Sequence, residues 1–169
     1  MRKFLRCSGM VLMLTASGGQ ALAAVSSSRC VGSDDVYALR AAAVQQRLMV
    51  AAFSCQAVDR YNKFVITYRK DLQASDQALQ RFFRRLNGQT GEADYHSFKT
   101  RLANASSMQS IKDQGYCANA EATFADAFDA RNKSLRIFLA DRPAEDERAY
   151  AACPPVYTAS AAKAPASRK

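Results

Sequence analysis

Between Cys55 and Asn87 one residue class recurs at alternating spacings of three and four: Val58, Tyr61, Val65, Tyr68, Leu72, Ser75, Leu79, Phe82 and Leu86. A face that repeats every ~3.5 residues is the seam of a helical bundle or coiled coil, and it does not fit the two-residue period of a strand. One unbroken helix over this run spans ~50 Å at 1.5 Å per residue. Gly88 follows it as a natural terminator. Ser75 is the weak point of the seam, and "ASD" (74–76) is where a bend or restart is expected, so the helix is firm and its continuity is open.

The flanking segments carry the same kind of pattern. Ser33 is placed to cap a helix starting at Asp34 and Asp35, whose carboxylates favour a helix N-terminus. Leu39, Ala43, Val44, Leu48, Ala51 and Cys55 continue its apolar stripe to about residue 54, and no Gly or Pro separates it from the long seam. After "NGQTGE" (87–92) a shorter helix carries Tyr95, Phe98 and Leu102. "NASS" (104–107) reads as a break, with Ser107 capping a brief helix through Met108 and Ile111 up to Gly115. A last long helix is predicted from near Asn119 to about Arg142, with Phe124, Phe128, Leu135 and Phe138 as its seam and Ala120 and Ala127 beside it. Pro143 stops it. "AEDERAYAAC" (144–153) has the makings of one more short helix. With no strand alternation and no internal repeat, the expected fold is all-α: an antiparallel helical bundle with one long helix and two disulfides.

The chain begins like an exported one. Arg2, Lys3 and Arg6 precede an apolar stretch, "CSGMVLMLTA" (7–16), too short to span a bilayer of ~30 Å, and "ALA" (21–23) supplies the small residues a signal peptidase reads. The expected organisation is a removed signal peptide over 1–23, a disulfide-stapled helical domain over 24–157, and a disordered basic Ala/Ser/Pro tail over 158–169. Cys7 leaves with the signal, so Cys30, Cys55, Cys117 and Cys153 remain, which in an oxidising compartment allows three pairings. Cys55–Cys117 within the helical body and Cys30–Cys153 across its ends is the preferred set. The first closes a loop of about 60 residues, worth roughly 4 kcal/mol if it acts through chain entropy. The absence of C-x-x-C and C-x-x-C-H argues against a thioredoxin-like site, a zinc knuckle and attached c-type haem.

Removing Arg2, Lys3 and Arg6 leaves 21 basic residues against 15 acidic ones, a net charge of +6 for the exported chain. Such a charge keeps a protein soluble and also attracts anionic lipid head groups or acidic wall polymers. Nucleic acid reads the same charge, but export makes it a poor partner. The positive residues concentrate on the long helix, where Lys63, Lys70 and Arg84 share a heptad position with Arg60, Arg81 and Arg85 close by. Asp59 and Asp71 interrupt this stripe, and an Asp59–Lys63 pair one turn apart is the ordinary expectation. Asn62, beside the seam, reads as a buried polar group with partners to find.

The only histidine, His96, lies in "EADYHSFKT" (92–100). Its ordinary role is a helix-edge residue paired to Glu92 one turn away. The catalytic alternative makes it a general base with Tyr95 or Lys99 polarising a substrate. No G-x-S-x-G occurs, the cysteines are assigned to bridges, one histidine cannot build a His-rich metal site, and Glu145, Asp146 and Glu147 lack the calcium-loop pattern. No metal and no cofactor are therefore expected.

The stretches "VQQRLMVAAFSCQAVDRYNKFV", "DQALQRFFRRL" and "YHSFKTRLANASS" resemble those of small uncharacterised exported helical proteins of Gram-negative bacteria, over about residues 34–128. The resemblance implies a periplasmic helical domain and carries no activity with it. The function expected is a periplasmic or secreted binding or structural module of the cell envelope, with no later transmembrane span. It engages an envelope protein or an anionic envelope surface through Arg60, Lys63, Lys70, Arg81 and Arg84. The alternative is a small enzyme or ligand-binding protein using His96, Tyr95 and Lys99. A homodimer follows if the long seam exceeds what the other helices cover, and an exposed apolar groove would instead suit a chaperone-like helper.

Overall fold

Alanine makes the first helix unusual. The computed structural model describes residues 30–143 and 149–153, and in it α1 (Ser33–Ser54) buries Ala38, Leu39, Ala41, Ala42, Val44, Leu48, Ala51 and Ala52. These positions cover most of its circumference, which marks a helix enclosed by others rather than one laid on a surface. Around it run α2 (Val58–Thr67), α3 (Arg69–Asn87), α4 (Gly91–Lys112), α5 (Tyr116–Ala127) and α6 (Leu135–Leu139). Among the described residues there is no strand, only a parallel bridge between Val31 and Ala152. The all-α bundle and the preferred cysteine pairing are both borne out, with Cys30–Cys153 and Cys55–Cys117 at Cα separations of 4.7 and 5.5 Å.

Two half-cores lie on either side of α1. On one, Ala41, Val44 and Leu48 meet Phe64, Tyr68, Leu72, Phe124, Leu135 and Phe138. On the other, Ala38, Leu39 and Ala42 meet Leu79, Phe82, Phe83, Tyr95, Phe98 and Leu102. The predicted seam is thus used within one chain from Tyr68 to Phe82, while Val58 at its start is exposed. Antiparallel packing of α1 on α3 brings Arg85 to Asp35 at 2.6 Å. That carboxylate also accepts the Gly32 N–H at 2.9 Å, so the helix starts at Ser33 with Gly32 as its cap, one residue before the expected Ser33 cap.

The helix boundaries depart from the sequence reading at four places. Between α1 and α2, Gln56 takes the left-handed conformation at φ 57. The Ala57 N–H returns to the Ala52 carbonyl at 3.0 Å, a Schellman-type ending without the usual glycine. The long helix bends at Tyr68 (φ −106, ψ 20) and not at "ASD", which lies inside α3. Tyr68 holds the bend by donating its hydroxyl to the Ala127 and Asn132 carbonyls, and its ring stacks with Phe138 at 6.2 Å between centroids. "NASS" does not break α4: Ser106 is buried on the same face as Tyr95, Phe98 and Leu102, and Ser110 satisfies its hydroxyl on the Ser107 carbonyl at 2.8 Å.

The predicted last helix is two helices. Asn132 donates to the Asp126 carbonyl at 2.7 Å and the Arg131 N–H to Asp129 at 2.8 Å, so side chains outcompete the helical ladder after Phe128. Ser134 then caps α6, accepting the Ile137 N–H at 3.3 Å, while Asp71 of α3 accepts the Leu135 N–H at 3.0 Å. The helix ends at Leu139 rather than near Arg142. Beyond it, Val31 and residues 151–153 exchange backbone hydrogen bonds of 2.8 and 3.0 Å beside the Cys30–Cys153 bridge. Tyr150 packs there on Phe82 at 5.2 Å. The expected 144–153 helix does not form over 150–153, where the chain runs alongside Val31 instead; its first half (144–148), the signal peptide (1–23) and the basic tail (158–169) lie outside the described residues.

Two glycines close the α3–α4 hairpin for different reasons. Gly88 has φ +58, which L side chains rarely adopt, whereas Gly91 is in ordinary helical conformation but touches α3. A Cβ at Gly91 would sit 2.6 Å from the Arg84 Cα and the Phe83 carbonyl oxygen, both backbone atoms. Gly91→Ala is expected to destabilise the fold by about 1–3 kcal/mol, the range for overpacking a close contact. Gln56→Gly should stabilise it by up to about 1 kcal/mol by removing a left-handed L residue. Chemical denaturation of the two variants beside the wild type measures both, and opposite signs are the expected result.

Candidate functional site

The α3–α4 hairpin places Asp76 of α3 opposite Tyr95 and Lys99 of α4. The Tyr95 hydroxyl donates to the carboxylate at 2.8 and 2.9 Å, Lys99 Nζ donates at 3.0 Å, and Gln80 Nε2 donates at 3.2 Å from one turn along α3. A carboxylate offers about four lone-pair sites, and three donors engage both oxygens of Asp76, the single Tyr95 proton being shared between them. Burial alone pushes this carboxyl up, but the hydrogen bonds from Tyr95, Lys99 and Gln80 and the Lys99 charge outweigh it, and Asp76 ends below the usual carboxylate range. The Tyr95 phenol is pushed up to about 12, by its own burial first and then by its hydrogen bond to Asp76 and that residue's charge.

Beside this network opens a cleft of about 510 Å³ lined by Gln45, Val65, Arg69, Leu72, Gln73, Asp76, Tyr95 and Lys99. Four helices contribute: Gln45 from α1, Val65 from α2, the middle four from α3, and Tyr95 and Lys99 from α4. Val65 and Leu72 give it an apolar floor because they belong to the seam. Arg69 and Gln73 are exposed beside it because they flank the seam on α3, and Gln45 reaches the cleft from α1.

Of the residues singled out in sequence, Tyr95 and Lys99 meet here and His96 does not. His96 is exposed on the other side of Tyr95, its ring 5.0 Å from the tyrosine ring, next to a smaller recess lined by Gln80, Arg84, Glu92 and Tyr95. The expected Glu92–His96 pair is not formed among the described residues, and Asn62, expected to be buried, is exposed. Asp76 escaped the sequence reading because Tyr95 and Lys99 reach it from another helix. The signal available was its position beside seam residue Ser75, one turn before Gln80.

The basic stripe divides at the Tyr68 bend. On α2, Arg60 pairs with Glu121 at 2.6 Å and Lys63 stands 4.5 Å over the Phe128 ring instead of pairing with Asp59. Arg85 is tied to Asp35 and to the Cys30 carbonyl. Lys70, Arg81 and Arg84, at spacings that fall on one side of α3, are exposed and make no hydrogen bond or ion pair with any described residue. No helix among the described residues is long and apolar enough to cross a membrane. Nor do His, Cys, Asp or Glu side chains gather there as a metal site.

Fold and site together define a small, doubly disulfide-bonded helical domain with a donor-rich cleft and a separate row of cations. No family model, no curated protein and no solved structure matches the chain.

The electrostatics of the Asp76 network give a signed pH dependence. Tyr95 has a folded pKa above its ordinary ~10, so its contribution to stability is complete below that value and is lost as pH rises through about 12. Asp76, with a lowered folded pKa, contributes above the ordinary carboxyl range and loses its contribution as pH falls through the folded value. Replacing Asp76 with Asn is expected to bring the Tyr95 titration back toward 10 and to flatten the acid limb of the stability curve. The ring carbon resonances of Tyr95, followed by NMR across alkaline pH, report the first effect, and an unmoved titration would show that burial alone governs the phenol.

Proposed function

We propose that the protein is an exported helical binding module of the cell envelope whose contact surface is the cation row Lys70, Arg81 and Arg84 of α3. The observation that carries this reading is the contrast along the stripe. Arg60, Lys63 and Arg85 are held by Glu121, Phe128 and Asp35, whereas these three have no described partner. Unneutralised cations on one rigid helix face suit an anionic surface or an acidic protein, and a helix fixes their spacing. Export rests on the signal-like first 23 residues, and the two disulfides are what an oxidising compartment permits. The resemblance to exported helical proteins of Gram-negative bacteria points the same way.

Catalysis through His96 receives less support. Tyr95 and Lys99, its proposed helpers, are both engaged by Asp76, and a phenol at about 12 keeps its proton at neutral pH. His96 itself faces Arg84 and Glu92 across a small recess.

Sedimentation with vesicles containing phosphatidylglycerol tests the surface form of the reading. Binding is expected, is expected to weaken as salt shortens the Debye length to ~10 Å at 0.1 M, and should be absent from phosphatidylcholine vesicles. Reversing Lys70, Arg81 and Arg84 to Glu together is expected to weaken it about a hundredfold or more, from ~1 kcal/mol per lost cation. Crosslinking in intact cells followed by mass spectrometry covers the acidic-protein form. If the triple reversal changes neither vesicle binding nor the crosslinked set, the row is not the contact surface.

A further inference from the structure

We propose that the cleft between α1, α2, α3 and α4 is a binding site for a small monocarboxylate with a short apolar body. The argument rests on which hydrogen-bonding groups in the cleft are already used. Asp76 is the one acid of the lining, and its two oxygens accept from Tyr95, Lys99 and Gln80. Three donors against about four lone-pair sites leave it at most one place for a further donor. The cations are in the opposite condition. Arg69 makes no hydrogen bond or ion pair with any described residue, so its five N–H groups are open. Lys99 has three donors and gives one to Asp76.

The lining therefore offers donors in excess and one net positive charge, since Asp76 offsets one of the two cations. That matches a single negative charge better than a phosphate dianion, and it repels an amine. The planar fork of Arg69 fits a carboxylate through two parallel N–H···O bonds. The amide of Gln73 adds a neutral polar contact, and Gln45, already hydrogen-bonded to Tyr61, has only its remaining amide groups to offer. Leu72 and Val65 form the apolar floor, on which a short hydrocarbon or ring would lie. At about 510 Å³ the cleft lies within the usual range of small-ligand sites. Tyr95 has a role here beyond its hydrogen bond. Its hydroxyl holds Asp76 in place, and with it the Lys99 ammonium at the mouth of the cleft.

This site is separate from the cation row and stands or falls without it. Isotope-labelled protein is titrated with hexanoate, hexanamide and hexylamine, and the side-chain signals of Arg69, Lys99 and Tyr95 are followed by NMR. Hexanoate is expected to shift them saturably, hexanamide to bind at least about tenfold more weakly for want of a charge-assisted pair, and hexylamine not to bind. Arg69→Gln, an exposed substitution checked by an unchanged thermal midpoint, should reduce hexanoate to the level of hexanamide. Lys112→Gln, which removes a cation at the far end of α4, should leave it unchanged and so separates a local site from net charge. Equal binding of hexanoate and hexanamide overturns the proposal. So does hexanoate binding that survives Arg69→Gln, shifts confined to the exposed Phe53 and Ile111, or no saturable shift at all.

Discussion

The packing of aromatic side chains against a helix of alanines sets everything else in this fold. α1 can be enclosed on two sides because Ala38, Ala41, Ala42, Ala51 and Ala52 let neighbouring helices approach its backbone closely. Larger residues there would push α2 and α6 away from one flank and α3 and α4 from the other. The missing volume is supplied from outside, by Phe64, Phe124 and Phe138 in one half-core and by Phe82, Phe83 and Phe98 in the other. Interiors packed to crystal-like density tolerate such a division only when small and large residues face each other consistently. The cleft follows from the same arrangement. It opens along the line where α2 turns into α3, away from the side on which α6 and α5 close over Tyr68.

How far the amino-acid pattern discloses this depends on whether the deciding contact is local. The 3.5-residue seam announces α2 and α3, and the small-residue ending at Gly88 is equally plain. The break at Gln56 is not, because the left-handed position that normally advertises itself with glycine is filled by glutamine. The bend belongs to Tyr68, where hydroxyl contacts to residues 127 and 132 decide the geometry, about sixty positions away in sequence. Serines read as helix breakers at 104–107 because their local hydrogen bonds compete with the ladder. Here Ser106 is small enough to be buried on the α4 seam and the helix passes through. The reverse happens at 129–132, where Asp129 and Asn132 look unremarkable and end a helix that the phenylalanine spacing would have continued.

The candidate site divides along the same line. Tyr95 and Lys99 share one helix face, so their proximity is visible from spacing alone. Their partner Asp76 lies on the other arm of the hairpin, and only the α3–α4 register brings it to them. The basic stripe was legible as a stripe, yet its division into held and unheld cations needed α5 and the loop at Phe128 to be in place. A residue's type and spacing thus identified what it could offer, and tertiary contacts determined what had already been used.

The two disulfides sit at opposite ends of α1, since Cys30 precedes its first residue and Cys55 follows its last. Cys30–Cys153 closes the bundle into a covalent ring, reinforced by the Val31–Ala152 bridge. Tension applied through the segments flanking those two cysteines would travel across one sulfur–sulfur bond and bypass the helices altogether. A single protease cut inside the ring would leave both pieces attached. In a mechanically stressed, protease-containing compartment, the domain would stay whole under loads and nicks that would dismantle an open helical bundle of equal thermodynamic stability.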